Sequence, residues 1–149
     1  MEHFFIEPAE RGDLPSLLIL YAQLHPNDPP LDSTHADSVW SRLIRSEETT
    51  VLVARSGHAV IGACTLTIVP NLTRGGRAYA IIENVVTDAA ERRRGIGRAL
   101  LDAAVRRAWD AGCYKATLAT GSKRQETLRF YEGAGFVRGK KTHFEVTSS

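Results

Sequence analysis

The chain has 149 residues, a formal net charge of +2, and hydrophobic and charged fractions of 43% and 24%. This is the size and balance of one globular domain able to bury a single core, and no apolar run approaches membrane-spanning length. So small a net charge does not argue for nucleic acid, and two cysteines without a Cys-x-x-Cys or a histidine cluster give no reason to expect a metal.

Cys64 and Cys113 therefore read as small buried hydrophobes. The opening Met1-Glu2-His3-Phe4-Phe5 lacks a basic segment followed by an apolar core, so the cytoplasm is the expected compartment. His3-Phe4-Phe5-Ile6-Glu7 reads as a first strand that Pro8 ends. Asp13 is then expected to cap a helix, with Pro15 in its first turn and a stripe of Leu14, Leu17, Leu18, Tyr21 and Leu24 reaching about His25. Pro26, Pro29 and Pro30 break it. Ser33 or Thr34 is expected to cap a second helix to about Arg45, with Val39, Trp40, Leu43 and Ile44 on one side. At this spacing Tyr21 and Trp40 read as core, and His25 and His35 as surface.

Thr50–Arg55 and Ala59–Val69 flank Ser56-Gly57-His58 as a β-hairpin, which Pro70 closes. Residues Asn71 to Arg77, with Gly75-Gly76 between Arg74 and Arg77, read as a flexible basic loop, either solvated or guarding a site for an anionic group. Ala78 to Thr87 is nearly all apolar and reads as a central strand buried on both faces. Glu83 is its exception. Period two puts it on one face with Ile81 and Val85, where a carboxylate is costly unless paired, hydrogen-bonded or protonated part of the time. It is a functional candidate, or else a structural partner for Arg74, Arg77 or a backbone amide.

Arg92-Arg93-Arg94-Gly95-Ile96-Gly97-Arg98 follows this strand and opens a helix expected from about Gly95 to Ala111. Ile96, Leu100, Ala104 and Ala108 recur at helix period, and Arg98, Asp102, Arg106 and Asp110 form a charged row. A cluster of arginines ahead of a helix N-terminus conflicts with the macrodipole unless something negative neutralises both. Glycines at 95 and 97 let main-chain N–H groups approach phosphate oxygens. The alternative is a solvated basic turn. Nucleic-acid binding through these arginines would need an extended basic face, which the alternating charges of the helix do not supply.

Tyr114–Thr120 reads as a strand, Gly121-Ser122-Lys123 as a turn that lacks the pattern of a Walker loop, and Arg124–Gly133 as a helix. Phe136-Val137 and Thr142-His143-Phe144-Glu145-Val146 are the expected last strand pieces around a turn at Gly139-Lys140-Lys141. The order β-α-α-β-β-β-α-β-α-β predicts an α/β class fold: one mixed sheet with helices on both faces.

Arg92-x-x-Gly95-x-Gly97 after Ile81-Ile82-Glu83-Asn84-Val85-Val86-Thr87 resembles the acetyl-coenzyme A pyrophosphate loop of the GCN5-related N-acetyltransferase (GNAT) superfamily. Phe130-Tyr131-Glu132-Gly133-Ala134-Gly135-Phe136 resembles that superfamily's late helix and following strand. The resemblance implies the acyl-CoA N-acyltransferase fold in a single domain over residues 1–149. It also implies acetyl-CoA as cosubstrate and a small-molecule amine acceptor, while charge and hydropathy give no nucleic-acid or membrane partner and leave a homodimer open. Val85, Val86 and Thr87 would pair with the pantetheine arm, and Arg92, Arg93, Arg94, Gly95, Ile96, Gly97 and Arg98 would hold the pyrophosphate. Glu83 would be general base and Tyr131 the proton donor to the leaving thiolate, with direct attack and no acetylated enzyme. By the same resemblance the first two helices would wall the acceptor, so Tyr21, His25, His35 and Trp40 could meet it.

Arg124 departs from the asparagine many members carry there. Lys123-Arg124 and Phe130-Tyr131 are similar to aminoalkylphosphonate acetyltransferases, and Ile82-Glu83 and Gly112-Cys113-Tyr114-Lys115 to glucosamine-6-phosphate acetyltransferases. Arg74, Arg77, Lys123 and Arg124 are accordingly expected to bind an anionic group of the acceptor. The competing readings are an acyl-CoA-binding sensor without turnover and a protein-lysine or N-terminal acetyltransferase.

Overall fold

In a computed structural model that describes residues 3–148, β1 (Phe5–Pro8) leads through a 3-10 turn (Arg11–Asp13) into α1 (Leu14–Leu24) and α2 (Ser33–Arg45). The hairpin β2 (Thr49–Ser56) and β3 (Ala59–Val69) follows, then a helical turn α3 (Thr73–Gly76), β4 (Tyr79–Thr87), a second 3-10 turn (Ala89–Glu91), α4 (Ile96–Asp110), β5 (Ala116–Thr117) and α5 (Gln125–Gly133). The sheet runs β1-β2-β3-β4-β5, antiparallel up to β4 and parallel between β4 and β5. This is the mixed sheet of the expected fold class. The chain divides into two compact units, one ending at Ala119 and one starting at Thr120.

In the first unit, strand alternation sends apolar side chains to two cores. Leu17, Leu20 and Trp40 of α1 and α2 pack with Val51, Val53, Ala63 and Val86 on one face. Ile96, Leu100, Leu101, Ala104 and Ala108 are the buried stripe of α4. They lie on the other face, where the Cys64 thiol donates to Leu100 O at 3.9 Å.

Several expectations are corrected. Asp13 stands at the N-cap of α1 but makes no side-chain cap there. Its carboxylate instead accepts from Glu10 N at 2.7 Å and from both terminal nitrogens of Arg55 at 3.1 and 2.8 Å, while Arg55 also pairs with Glu7. The guanidinium hydrogen bond to Asp13 is the main reason the carboxyl is held below its usual value, against the opposing effect of burial. Asp32, not Ser33 or Thr34, caps α2 by accepting from His35 N at 3.1 Å. The loop after β3 is closed on itself: Asn71 Nδ2 donates to Thr73 O at 3.1 Å and to Arg77 O at 3.1 Å.

β1 keeps Pro8, tolerated because β1 is an edge strand. β5 is far shorter than Tyr114–Thr120, since only Ala116 and Thr117 find register partners, in Ala80 and Ile81. The second unit holds α5 and a turn through Gly135, but the two expected last strand pieces are not strands, and Val137, Phe144 and Val146 stand 67%, 87% and 96% exposed. Apolar alternation becomes a strand only where a neighbouring edge pairs its backbone.

Candidate active site

The site is best built from a fault in β4. Glu83 faces Thr65 and Val86 faces Ala63, so three steps along β4 match two along β3. The extra residue is taken up at Asn84, whose φ of 53° is left-handed and suits asparagine among non-glycine residues. The bulge slips the alternation, so Glu83 shares its face with Val86, not Val85. It also follows the last β4–β5 register pair at Ile81. From Ile82 to Thr87 the β5-side edge of β4 therefore has no register partner in β5, which leaves the backbone of Val85, Val86 and Thr87 as an edge that an amide-bearing arm can pair with.

Glu83 is exposed, contrary to the expected low-dielectric burial, because the bulge and the short β5 leave its side of the strand uncovered. It pairs with neither Arg74 nor Arg77 in any described ion pair. Across the strand is Thr65, half-buried, and α1 packs Tyr21 against the core that holds Ala63 and Val86. Burial pushes the Tyr21 phenol above its usual value, keeping it protonated. Trp40, by contrast, is core: it is 5% exposed and donates its indole N–H to Arg11 O at 2.8 Å. His25 and His35 are exposed.

Beyond Thr87 the chain makes a turn into α4, the segment expected to hold the pyrophosphate. Asp88 N donates to Ile61 O at 2.9 Å, and the Asp88 carboxylate accepts from Ala90 N at 3.1 Å. Gln23 of α1 accepts from Ala89 N at 2.9 Å, fixing the loop's base. Arg93 (φ 67°) and Gly95 (φ 77°) are both left-handed, and α4 starts at Ile96 with no side-chain cap. With no side-chain cap, the first-turn N–H groups of Ile96, Gly97 and Arg98 have no intrahelical acceptor. Arg94 is committed to Glu91 and lies over the Phe4 ring, and Arg98 pairs with Asp102 at 3.0 Å. Arg92 and Arg93 are exposed and make no ion pair among the described residues.

Arg74 and Arg77 stand at the start of β4, the end opposite the turn into α4. Arg74 lies over the Tyr114 ring, and the charge of Arg77 is felt at Cys113. Six residues of strand, about 20 Å, separate Arg77 from Glu83, so the structure does not bring these two arginines to that turn. In the second unit Tyr131 is half-buried, edge-on to Phe130 and Phe136, and desolvation raises its phenol. Arg124 occupies the N-cap of α5 and pairs with Glu126, while Lys123 is exposed. Cys64 is fully buried and its thiol is pushed up to about 12 by desolvation, so it offers no thiolate for a covalent intermediate. Among the described residues no group of three or more His, Cys, Asp or Glu could hold a metal, and no helix is long and apolar enough to cross a membrane.

Residues 15–136 match the Acetyltransferase (GNAT) family. The chain belongs to the GNAT acetyltransferases. It is an N-acetyltransferase, and the acyl donor of this family is acetyl-CoA. Over 128 residues, 85% of this chain and 84% of the relative, it is 35% identical to a glucosamine 6-phosphate N-acetyltransferase of Trypanosoma brucei brucei. A solved structure from Agrobacterium tumefaciens str. C58 is 42% identical, with a TM-score of 0.92 over 97% of this chain and 99% of that one. An aminoglycoside N-acetyltransferase solved in complex with CoA shares the GNAT fold at 17% identity, with a TM-score of 0.82 over 100% of this chain and 97% of the other. Sequence reasoning did not single out Gln23, Thr65, Asn84 or Asp88. The Asp88-Ala89-Ala90 spacing carries a turn signal that could have found one of them.

Proposed function

We propose that this GNAT enzyme acetylates the primary amine of a small anionic molecule, such as an amino-sugar phosphate or an aminoalkylphosphonate, by direct attack. The observation that carries the chemistry is the bulge at Asn84, which puts the exposed Glu83 carboxylate next to a strand edge free to pair with a donor's arm. Acetyl-CoA supplies an activated thioester. The backbone of Val85, Val86 and Thr87 holds the pantetheine arm, and the main-chain N–H groups from Arg92 to Arg98, with the arginines as added charge, hold the pyrophosphate. Glu83 takes the proton of the alkylammonium directly or through water, so that the nitrogen can form the amide as the carbon–sulfur bond breaks. Tyr131, kept as a phenol, gives its proton to the departing thiolate.

Support for an anionic acceptor comes from the trypanosomal relative named for glucosamine 6-phosphate. Of the expected cations Lys123, Arg124, Arg74 and Arg77, Lys123 is the one proposed to meet the acidic group most directly, since Arg124 pairs with Glu126 and about 20 Å of strand separates Arg77 from Glu83. A charge-assisted hydrogen bond contributes about 1.5–3 kcal/mol, enough to prefer an anionic amine over its neutral analogue roughly ten- to a hundredfold. The whole chain is read as one catalytic domain, since the family match runs through both compact units. A cytoplasmic homodimer is the proposed working form, with a second copy as the partner that covers the apolar side chains of Phe144 and Val146.

The test is coenzyme A release with matched amines: glucosamine against glucosamine 6-phosphate, and aminoalkyl compounds with and without a phosphonate. Equal kcat/KM within every pair would refute the anionic acceptor. Use of lysine peptides alone would replace it with protein acetylation, and cofactor binding without turnover would make the domain a sensor.

A further inference from the structure

We infer that Gln23, next to the last residue of α1, is a positioning residue for the acyl donor: its side-chain amide grips the turn between β4 and α4 and so sets where the first N–H groups of α4 stand. The inference rests on the reading that the segment from Arg92 to Arg98 holds the pyrophosphate. Gln23 meets the turn with both ends of its amide. Its Oε1 accepts from Ala89 N at 2.9 Å, and its Nε2 donates to Asp88 Oδ1 at 3.5 Å. Asp88 is held in turn by its own backbone and side chain: its N donates to Ile61 O at 2.9 Å, its O accepts from Glu91 N at 2.8 Å, and Oδ1 accepts from Ala90 N at 3.1 Å. Glu91 pairs with Arg94, the residue before the N-cap Gly95. Polar contacts therefore run unbroken from α1 to the threshold of α4.

The two ends of this path differ in how they are fixed. α1 is seated by packing, with Leu17 and Leu20 at 0% and 1% exposed in the core beside Val86. The 3-10 turn Ala89–Glu91 buries no residue, and α4 then opens on a left-handed glycine without a side-chain cap. With so little apolar burial of its own, the turn depends on hydrogen bonds for its position. It offers a donor, Ala89 N, and an acceptor, the Asp88 carboxylate, on adjacent residues. A neutral amide carries the complement of both on one planar group. An ionised glutamate would still accept from Ala89 N, but it would set a second carboxylate against Asp88, and leucine would do neither. Gln23 thus acts on the donor through the turn, from a helix on the face of the sheet opposite α4.

The experiment titrates the full chain calorimetrically with coenzyme A from about pH 5 to about pH 8 and compares each variant with the natural chain at the same pH. Gln23→Leu should weaken coenzyme A about five- to tenfold throughout. In coenzyme A release it should raise KM for acetyl-CoA by a similar factor and leave kcat within about twofold, the mark of lost binding without lost chemistry. Gln23→Glu should be as weak at about pH 8 and come within about twofold of the natural chain at about pH 5. There the protonated acid again has one donor and one acceptor, and the Asp88 carboxylate in contact with it raises the pH at which it takes its proton. Gly95→Ala is the reference for the segment itself. Natural affinity in Gln23→Leu beside weakened Gly95→Ala overturns the grip and leaves the pyrophosphate assignment standing. Natural affinity in both overturns the assignment and the grip with it. A Gln23→Glu defect that stays constant with pH marks lost packing and overturns the grip as well.

Discussion

Gly62 marks a close approach of β3 to α4, and a methyl group there tests how firmly the helix is seated. A Cβ at this position would lie 2.8 Å from Ile96 Cγ2, 3.1 Å from Val86 O and 3.2 Å from Leu100 Cδ1. Ile96 and Leu100 are 1% and 0% exposed, and the third neighbour is main chain, so none is a flexible tip that can swing away. Overpacking of this kind costs about 1–3 kcal/mol, while replacing glycine stabilises by about 0.4–1 kcal/mol through the unfolded chain. The net loss for Gly62→Ala is about 1–2 kcal/mol. At this chain length that lowers Tm by roughly 2–8 °C. Because Ile96 is also the first residue of α4, any relief of the contact shifts the N–H groups of its first turn, and affinity for coenzyme A should fall by about threefold or more. Thermal melts by circular dichroism and calorimetric titration with coenzyme A measure both. A Tm at or above that of the natural chain with undiminished affinity would show that α4 does not press on Gly62.

Gly95→Ala should weaken coenzyme A about five- to thirtyfold, the equivalent of the roughly 1–2 kcal/mol that a side chain costs at φ 77°, since nothing lies within 4 Å to clash. Gly95→Asn should be milder, and equal affinities for Ala and the natural chain would refute a pyrophosphate held at the start of α4. Arg55→Met should cost about 3 kcal/mol at neutral pH by leaving the buried Asp13 unpaired. Asp13 titrates lower when folded than its ordinary 3.8, chiefly through its Arg55 hydrogen bond. Its stabilisation is thus present above that ordinary value and lost as pH falls through the folded one, so denaturant midpoints of Asp13→Asn and the natural chain should converge in acid. A gap constant with pH would contradict this. Glu83→Gln should lose turnover most below the acceptor's own pKa and recover partly above it, where free amine is plentiful; unchanged turnover at neutral pH would demote Glu83.

The elements with dense apolar period were legible in the sequence: α1, α2 and α4 lie within a residue or two of their expected limits, as do the hairpin and β4. The start of α4 was legible too, because a glycine ahead of an amphipathic run marks a helix boundary. The bulge was not. An unbroken period of two along Ile81 to Thr87 puts Glu83 with Val85, and the slip at Asn84 depends on which residues of β3 it meets. The burial expected for Glu83 failed for the same reason, since a neighbour's coverage belongs to tertiary structure. Asp13 looked like a cap because Asp-x-Pro is a helix-start pattern; an arginine 42 positions later claims its carboxylate instead. The tail was misread because period two reports a strand's faces and says nothing of whether an edge awaits it.

The two cysteine thiols of the chain have a chemical consequence. The reaction sets free a reactive thiol, coenzyme A, beside a protein whose own thiols could capture an acetyl group or form mixed disulfides with it. Burial pushes the Cys64 thiol up to about 12, which disfavours its thiolate at neutral pH, and none of its surface meets solvent. Cys113 is buried and shifted the same way. The folded enzyme is therefore expected to react slowly with disulfide dyes, so that a fast thiol signal in its presence reports product. Once the fold opens, both cysteines should react, so the same dye that follows catalysis also registers the moment the enzyme comes apart.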